Sequence, residues 1–197
     1  MRGRILGMAA GLALAAAPAA AQQALTVGVA GAFTSMDPHY FNLGPNNVLT
    51  SYVFDPLLRF DPQMQPEPSL AESWRSVDEK TWEFKLRPGA TFHDGTPLTA
   101  ADVAFTFARI PQVLNSPSSF MYAVKPIARI EEVDASTLRF HTTAPEPLLP
   151  YNMTGIRIIS KKHGEGAQTS AYNSGAAAIG TGPFRLKEFA VGDSAVF

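Results

Sequence analysis

The sequence predicts a chain of mixed α and β structure, and three stretches carry that reading. In TWEFKLR (81–87), Trp82, Phe84 and Leu86 alternate with Thr81, Glu83, Lys85 and Arg87, the two-residue period of a half-buried strand. In LTAADVAFTFARIP (98–111), Thr99 is an N-cap with Asp102 as its capping-box partner, and Leu98 with Val103 forms a hydrophobic staple. Val103, Phe107 and Ile110 then fall on one face and Pro111 stops the helix, which is predicted over 100–110. Finally, PIARIEEV and STLRFHTT flank Asp134-Ala135, with Leu138 and Phe140 alternating against Arg139 and His141, as in a hairpin.

The remaining elements follow from the N-terminus. MRGRILGMAAGLALAAAPAAAQQ places Arg2 and Arg4 before an apolar run and ends it in small residues, the layout of a secretory signal peptide over residues 1–21 with cleavage after Ala21. A retained membrane anchor is the weaker alternative, because the run is short, interrupted by glycines, ends in Pro18 and is followed by no stop-transfer charges. Beyond it, Leu25, Val27 and Val29 predict a largely buried strand opening the mature fold, followed by a loop. VLTSYVFDPLLRFD reads as a short helix running into Asp55-Pro56, and DPQMQPEPSLAESW is Pro-rich and acidic.

Arg87-Pro88-Gly89-Ala90 has the type II turn signature, with residues 90–93 as the return segment, and Asp94-Gly95 makes a second turn. APEPLLPYN interrupts the pattern with prolines. IRIIS (156–160) reads as a short strand, SKKHGEGAQTSAYNSGAAA as a loop, and TGPFRLKEFA as the start of a further hairpin.

Composition narrows the chemistry. With 46% apolar and 17% charged residues the 197-residue chain has globular material for one domain and the start of a second. Without residues 1–21 it holds 14 Lys and Arg against 17 Asp and Glu, about −3, which is no footprint for nucleic acid. Zero cysteines exclude a disulfide framework, a thiol nucleophile and a Cys-ligated metal.

The reactive-looking motifs dissolve on inspection. His93-Asp94 offers too few ligands for a metal, and Asp-Gly is a turn signal in its own right, so FHDG reads as a turn before a helix. His39, His141 and His163 lie in separate segments without HExxH spacing. GAAAIGTG from Gly175 spaces two glycines like a phosphate loop, but Thr181 stands where the lysine belongs. No GxSxG elbow occurs, so no catalytic residue is assigned. Trp74, Trp82, Phe84, Phe92, Phe105 and Phe107 read as core rather than as a ligand platform. Phe33-Thr34-Ser35 is different, because it follows the end of the first expected strand, where open α/β sheets bind ligands.

The ordered series SMDPH, VFDPLLRFD, PSLAESW, TWEFKLRPGATFHDGTPLTAADVAFTF, STLRFHTTAPEPLL and IGTGPFRLKEF resembles the family 5 extracellular solute-binding proteins of ABC transporters, the dipeptide- and oligopeptide-binding group. The resemblance implies an α/β, type II periplasmic-binding-protein fold of two lobes, with a β-rich α+β subdomain inserted in the first. On it, residues 22–44 start lobe one, 45–165 form the subdomain and 166–197 return to lobe one. Nothing after Phe197 corresponds to the second lobe, so the chain reads as an N-terminal fragment that binds weakly or not at all alone.

The resemblance further implies a periplasmic, monomeric receptor without cofactor or metal that hands a di- or oligopeptide to an inner-membrane ABC permease. Phe33, Thr34, Ser35, Phe120 and Tyr122 are its candidate ligand-binding residues. The scaffold also serves nickel complexes, haem, opines and oligosaccharides, and fold does not name the ligand. The competing readings are a secreted hydrolase or metal-dependent enzyme whose active site lies beyond residue 197, and a self-contained exported scaffold.

Overall fold

The computed structural model describes residues 25–197, so the expected leader and its cleavage after Ala21 lie outside the described residues. The expected opening strand does not form: residues 25–34 are irregular, with Leu25 88% and Val27 59% exposed. An alternating segment becomes a strand only against a partner that takes its N–H and C=O groups, and among the described residues this one has none.

The first helix, α1 (Gly44–Thr50), begins and ends earlier than its apolar spacing suggested. Pro45 in its first turn presets the helical φ, and Ser51–Val53 turn the chain before Asp55-Pro56. A small hairpin of β1 (Leu58–Phe60) and β2 (Pro66–Pro68) follows.

The main sheet is antiparallel. Strand β3 (Ala71–Asp78) turns directly into β4 (Thr81–Leu86), with Trp74 opposite Phe84. Sequence reading missed β3, whose mostly exposed edge leaves no clean alternation. Gly89 at φ +75° completes the Pro-Gly turn after β4, and Gly95 at φ +84° the Asp-Gly turn. The segment between them does not return along β4. It closes on residues 96–98 instead, Phe92 N–H donating to Thr96 O and Leu98 N–H to Ala90 O, each at 2.9 Å.

Helix α2 (Ala100–Arg109) then runs as predicted and tightens into a 3₁₀ turn, Ile110–Gln112. Thr99 donates its N–H (3.0 Å) and hydroxyl (2.8 Å) to Asp102 Oδ2. A single-turn helix α3 (Met121–Val124) leads into β5 (Ile127–Glu132), which forms the expected hairpin with β6 (Thr137–Thr142). The spatial order is β3-β4-β6-β5. Phe107 on α2 packs on Phe140 at 5.1 Å between ring centroids, and Phe140 on Phe84 at 5.3 Å, so helix and sheet share one apolar layer.

After α4 (Leu149–Met153), residues 156–160 are extended but not a strand, because only Arg157 bridges Pro56 and Ile158 N–H reaches Asp55 O. The stretch expected to be loop contains two short helices, α5 (Lys161–Gly164) and α6 (Thr169–Asn173). Helices this short are fixed by tertiary contacts rather than by propensity, which is why sequence reading missed them. The chain closes with a hairpin of β7 (Glu188–Ala190) and β8 (Ser194–Val196).

Two apolar clusters result. The larger joins the sheet, α2 and α4 through residues such as Leu57, Phe84, Phe107, Leu138, Met153 and Ile158. The smaller unites Phe33, Met36, Val53, Phe54, Ile159 and Tyr172. Neighbouring Ile158 and Ile159 point into different clusters, as successive side chains of an extended segment do, so this stretch lies between the two.

Candidate functional site

Helix α2 carries two buried stripes. Val103, Phe107 and Ile110 face the sheet, while Asp102, Thr106 and Arg109, also buried, face the smaller cluster. Each polar residue there holds a distant segment. Asp102 Oδ1 accepts Lys161 N–H at 2.9 Å, and Thr106 Oγ1 accepts Ile159 N–H at 3.1 Å. Arg109 grips Asp37 with both prongs, at 2.9 and 2.7 Å.

The Asp37 carboxylate is fully used. Its oxygens also accept His39 N–H at 3.0 Å and the Thr169 hydroxyl at 2.7 Å. The Arg109 guanidinium stacks over the Tyr172 ring, 4.4 Å from its centroid. Burial pushes the Asp37 carboxyl up, but the bonds and charge of Arg109 outweigh it and leave the group below the ordinary carboxylate range.

His39 completes the network as a neutral ring. Its Nε2 lies 2.9 Å from Arg157 O and its Nδ1 3.1 Å from Arg109 Nη1, so the Nε2–H tautomer satisfies both. Burial and then the neighbouring guanidinium lower its pKa to about 4.

A cleft of about 500 Å³ opens beside the Asp37–Arg109 pair, lined in part by Thr34, Tyr40, Arg109, Thr169 and Asn173. Of the residues expected from sequence, Thr34 lines this cleft, its N–H donating to Asn46 Oδ1 at 2.7 Å. Ser35 is buried and donates to Asn173 Oδ1 at 3.0 Å, and Phe33 packs on Phe189 at 6.0 Å between centroids. Phe120 is buried edge-on to His39 at 6.4 Å. Tyr122 is 47% exposed and stands apart from the cleft, its hydroxyl over Gly155, where a Cβ would lie 2.5 Å from it. Asp37, Arg109 and Arg157 were not singled out from the sequence, and His39 was weighed only as a metal ligand. The one available signal was the polar residues at positions 102, 106 and 109, which share a helical face.

The FHDG turn docks onto the IGTG segment. His93 N–H donates to Gly180 O at 2.8 Å, and the ring Nε2 lies 2.8 Å from Gly182 O. On the other side, Gly182 N–H donates to Val53 O at 2.9 Å, and the Thr181 hydroxyl donates to Asp55 Oδ2 at 2.9 Å. A Cβ on Gly180 would fall 1.9 Å from Val53 O. Of the two glycines spaced like a phosphate loop, Gly180 thus serves close backbone packing, while Gly175 supplies a left-handed turn at φ +88°. Asp94 accepts from Thr96 N–H at 3.0 Å, from Lys162 at 2.9 Å and from His163 at 2.9 Å, tying the turn to α5. Among the described residues no group of three His, Cys, Asp or Glu is gathered as a metal site.

Comparisons with known proteins agree with this architecture. A family model described as "Bacterial extracellular solute-binding proteins, family 5 Middle" matches residues 65–197. The uncharacterized Bacillus subtilis protein YhjP is 32% identical over 158 residues, 79% of this chain and 25% of its own. The Escherichia coli periplasmic oligopeptide-binding protein OppA is 36% identical over 100 residues, 50% of this chain and 18% of its own. The structure of the Escherichia coli murein tripeptide binding protein MppA superposes with TM-score 0.71 at 26% identity, covering 83% of this chain and 35% of that one. The chain therefore spans about a fifth to a third of the length of these proteins.

Proposed function

This chain belongs to the bacterial extracellular solute-binding proteins of family 5, and we propose that it serves as the exported receptor for a peptide-like solute, delivering it unchanged to an inner-membrane ABC permease. The observation that carries this reading is the likeness in fold to a murein tripeptide binding protein across four-fifths of the chain. The similarity to OppA, named for oligopeptides, supports the same solute class.

The proposed division is a lobe-one start (22–44), an inserted subdomain (45–165) and a return to lobe one (166–197); the two apolar clusters favour its three-part order but with junctions further inward, near residues 55 and 158. The larger draws on residues between Leu57 and Ile158, while the smaller joins Phe33–Phe54 to Ile159–Ala178. The candidate contacts Phe33, Thr34 and Ser35 are held by Asn46, Asn173 and Phe189, so on this reading the solute meets a preorganised segment. Export through residues 1–21 and a periplasmic, monomeric state belong to the same proposal.

The test is native mass spectrometry of the full-length protein recovered from the envelope of its own host. The reading expects processing after Ala21 and a small adduct, released on activation, that fragments as a peptide. Added di- and tripeptides hydrolysed by the purified protein would replace the receptor by the secreted-hydrolase reading.

A further inference from the structure

Among the described residues the guanidinium of Arg157 has no hydrogen-bond or ion-pair partner, although the residue is half-buried. This sets it apart from Arg109, whose charge is matched by Asp37, and from Arg59, Arg75, Arg129 and Arg139, each paired with a glutamate. Its backbone is firmly placed: it bridges Pro56, its carbonyl accepts His39, and Ile158 N–H is bonded to Asp55 O at 2.9 Å. Asp55 is its acidic neighbour, but Asp55 Oδ2 is occupied by the Thr181 hydroxyl, and no contact within salt-bridge distance forms.

Position 157 lies on the less buried side of its segment. From Gly155 to Ile158 the chain alternates half-buried, buried, half-buried, buried, with Ile156 and Ile158 in the core, so positions 155 and 157 share the outer face. The Tyr122 hydroxyl lies on that face, directly over Gly155, and is a neighbour of Arg157. A cation and a phenol are therefore presented side by side, neither of them hydrogen-bonded among the described residues. A partly desolvated guanidinium whose N–H groups are unbonded lowers stability, and a bound carboxylate would supply the bonds that Asp55, acting only through its charge, does not.

We propose that Arg157, with the Tyr122 hydroxyl beside it, forms a subsite for a carboxylate of the solute. The guanidinium fork matches a carboxylate in two parallel N–H···O bonds, and the phenol donates a third. The inference deepens the receptor reading and rests on it only for the peptide source of that carboxylate. A free small acid offers the same group.

The full-length protein is titrated by calorimetry with two sets of probes. One is a pool of di- to pentapeptides as free acids and as C-terminal amides, and the other is succinate and glutarate. Wild type, Arg157→Gln and Arg157→Lys are compared, with circular dichroism and melting curves of the ligand-free proteins. The expected result is binding of acids over amides, a loss of at least about tenfold for Arg157→Gln, a partial loss for Arg157→Lys, and no fall in ligand-free melting temperature for either variant. The same Arg157 dependence confined to succinate or glutarate supports the subsite and overturns the peptide reading. Peptides bound equally as acids and amides, or an equal loss on both in Arg157→Gln, overturn the subsite and leave the peptide reading standing. No Arg157-dependent binding of any carboxylate in the set overturns the subsite.

Discussion

His93 and Gly182, 89 positions apart, are joined by a 2.8 Å contact between the imidazole Nε2 and the glycine carbonyl, with Gly180 bonded to the backbone of the same histidine. The most reactive-looking motif in the sequence is thereby a clamp between the capped helix and the segment that returns to Val53. Its prediction is a separation of stability from binding. His93→Ala leaves a carbonyl without its donor and should destabilise by about 1–3 kcal/mol in urea unfolding. Solute affinity of the folded protein stays unchanged; a large loss of affinity at full folding would assign His93 to the ligand.

Gly180→Ala tests the other half of the clamp. The added methyl would sit 1.9 Å from Val53 O and 2.8 Å from Phe54 Cδ1, and a backbone atom cannot swing aside as a side-chain tip can. We expect a loss of more than about 3 kcal/mol by chemical denaturation, against a small loss for alanine at the open Gly44.

Asp102 should matter more than the residue it caps with. Thr99→Ala removes one hydroxyl contact and costs about 1 kcal/mol. Asp102→Ala removes the acceptor for Thr99 N–H and for Lys161 N–H together, so its unfolding free energy should fall further than that of Thr99→Ala. Equal losses would mean that Lys161 finds another acceptor.

Acid sensitivity should trace to Asp37 and His39. The imidazole is held near 4 in the fold and titrates near 6.5 when unfolded, so below neutrality the unfolded chain takes up a proton that the folded chain refuses. Stability is fully present above about pH 6.5 and declines as pH falls toward 4. Asp37, depressed in the fold, adds a further loss at still lower pH. Melting curves between pH 7 and 4 should flatten in His39→Gln, and an unchanged slope would place the acid-sensitive group elsewhere.

Tyr172 offers a contrasting substitution. Its hydroxyl is buried with no hydrogen-bond partner among the described residues, while its ring supports Arg109. Tyr172→Phe keeps the ring and removes an unsatisfied oxygen, so stability should be unchanged or higher by up to about 1 kcal/mol. A clear loss would reveal a bound water under the ring.

What sequence could reveal followed from how local the determinants are. The strand at 81–86, the capping pair Thr99–Asp102 and the Asp94-Gly95 turn are each decided within a few residues, and each forms as expected. The pairing of Asp37 with Arg109 spans 72 positions and leaves no periodic mark. Helices α5 and α6 owe their turns to Asp102 and Asp37 rather than to their own composition. The alternation at Leu25–Val29 failed in the opposite sense, since a sound local pattern has no partner to lie against among the described residues.

The anchors of the Phe33–His39 segment have a consequence for the order of events after synthesis. Ser35 waits for Asn173, 138 positions later, and Asp37 for Arg109 and Thr169, 72 and 132 positions later. Closing such long loops is entropically unfavourable until most of the intervening chain is structured. A segment that a ribosome completes early is thus among the last to settle. Until residues 109, 169 and 173 have been made and placed, the segment has none of these native partners.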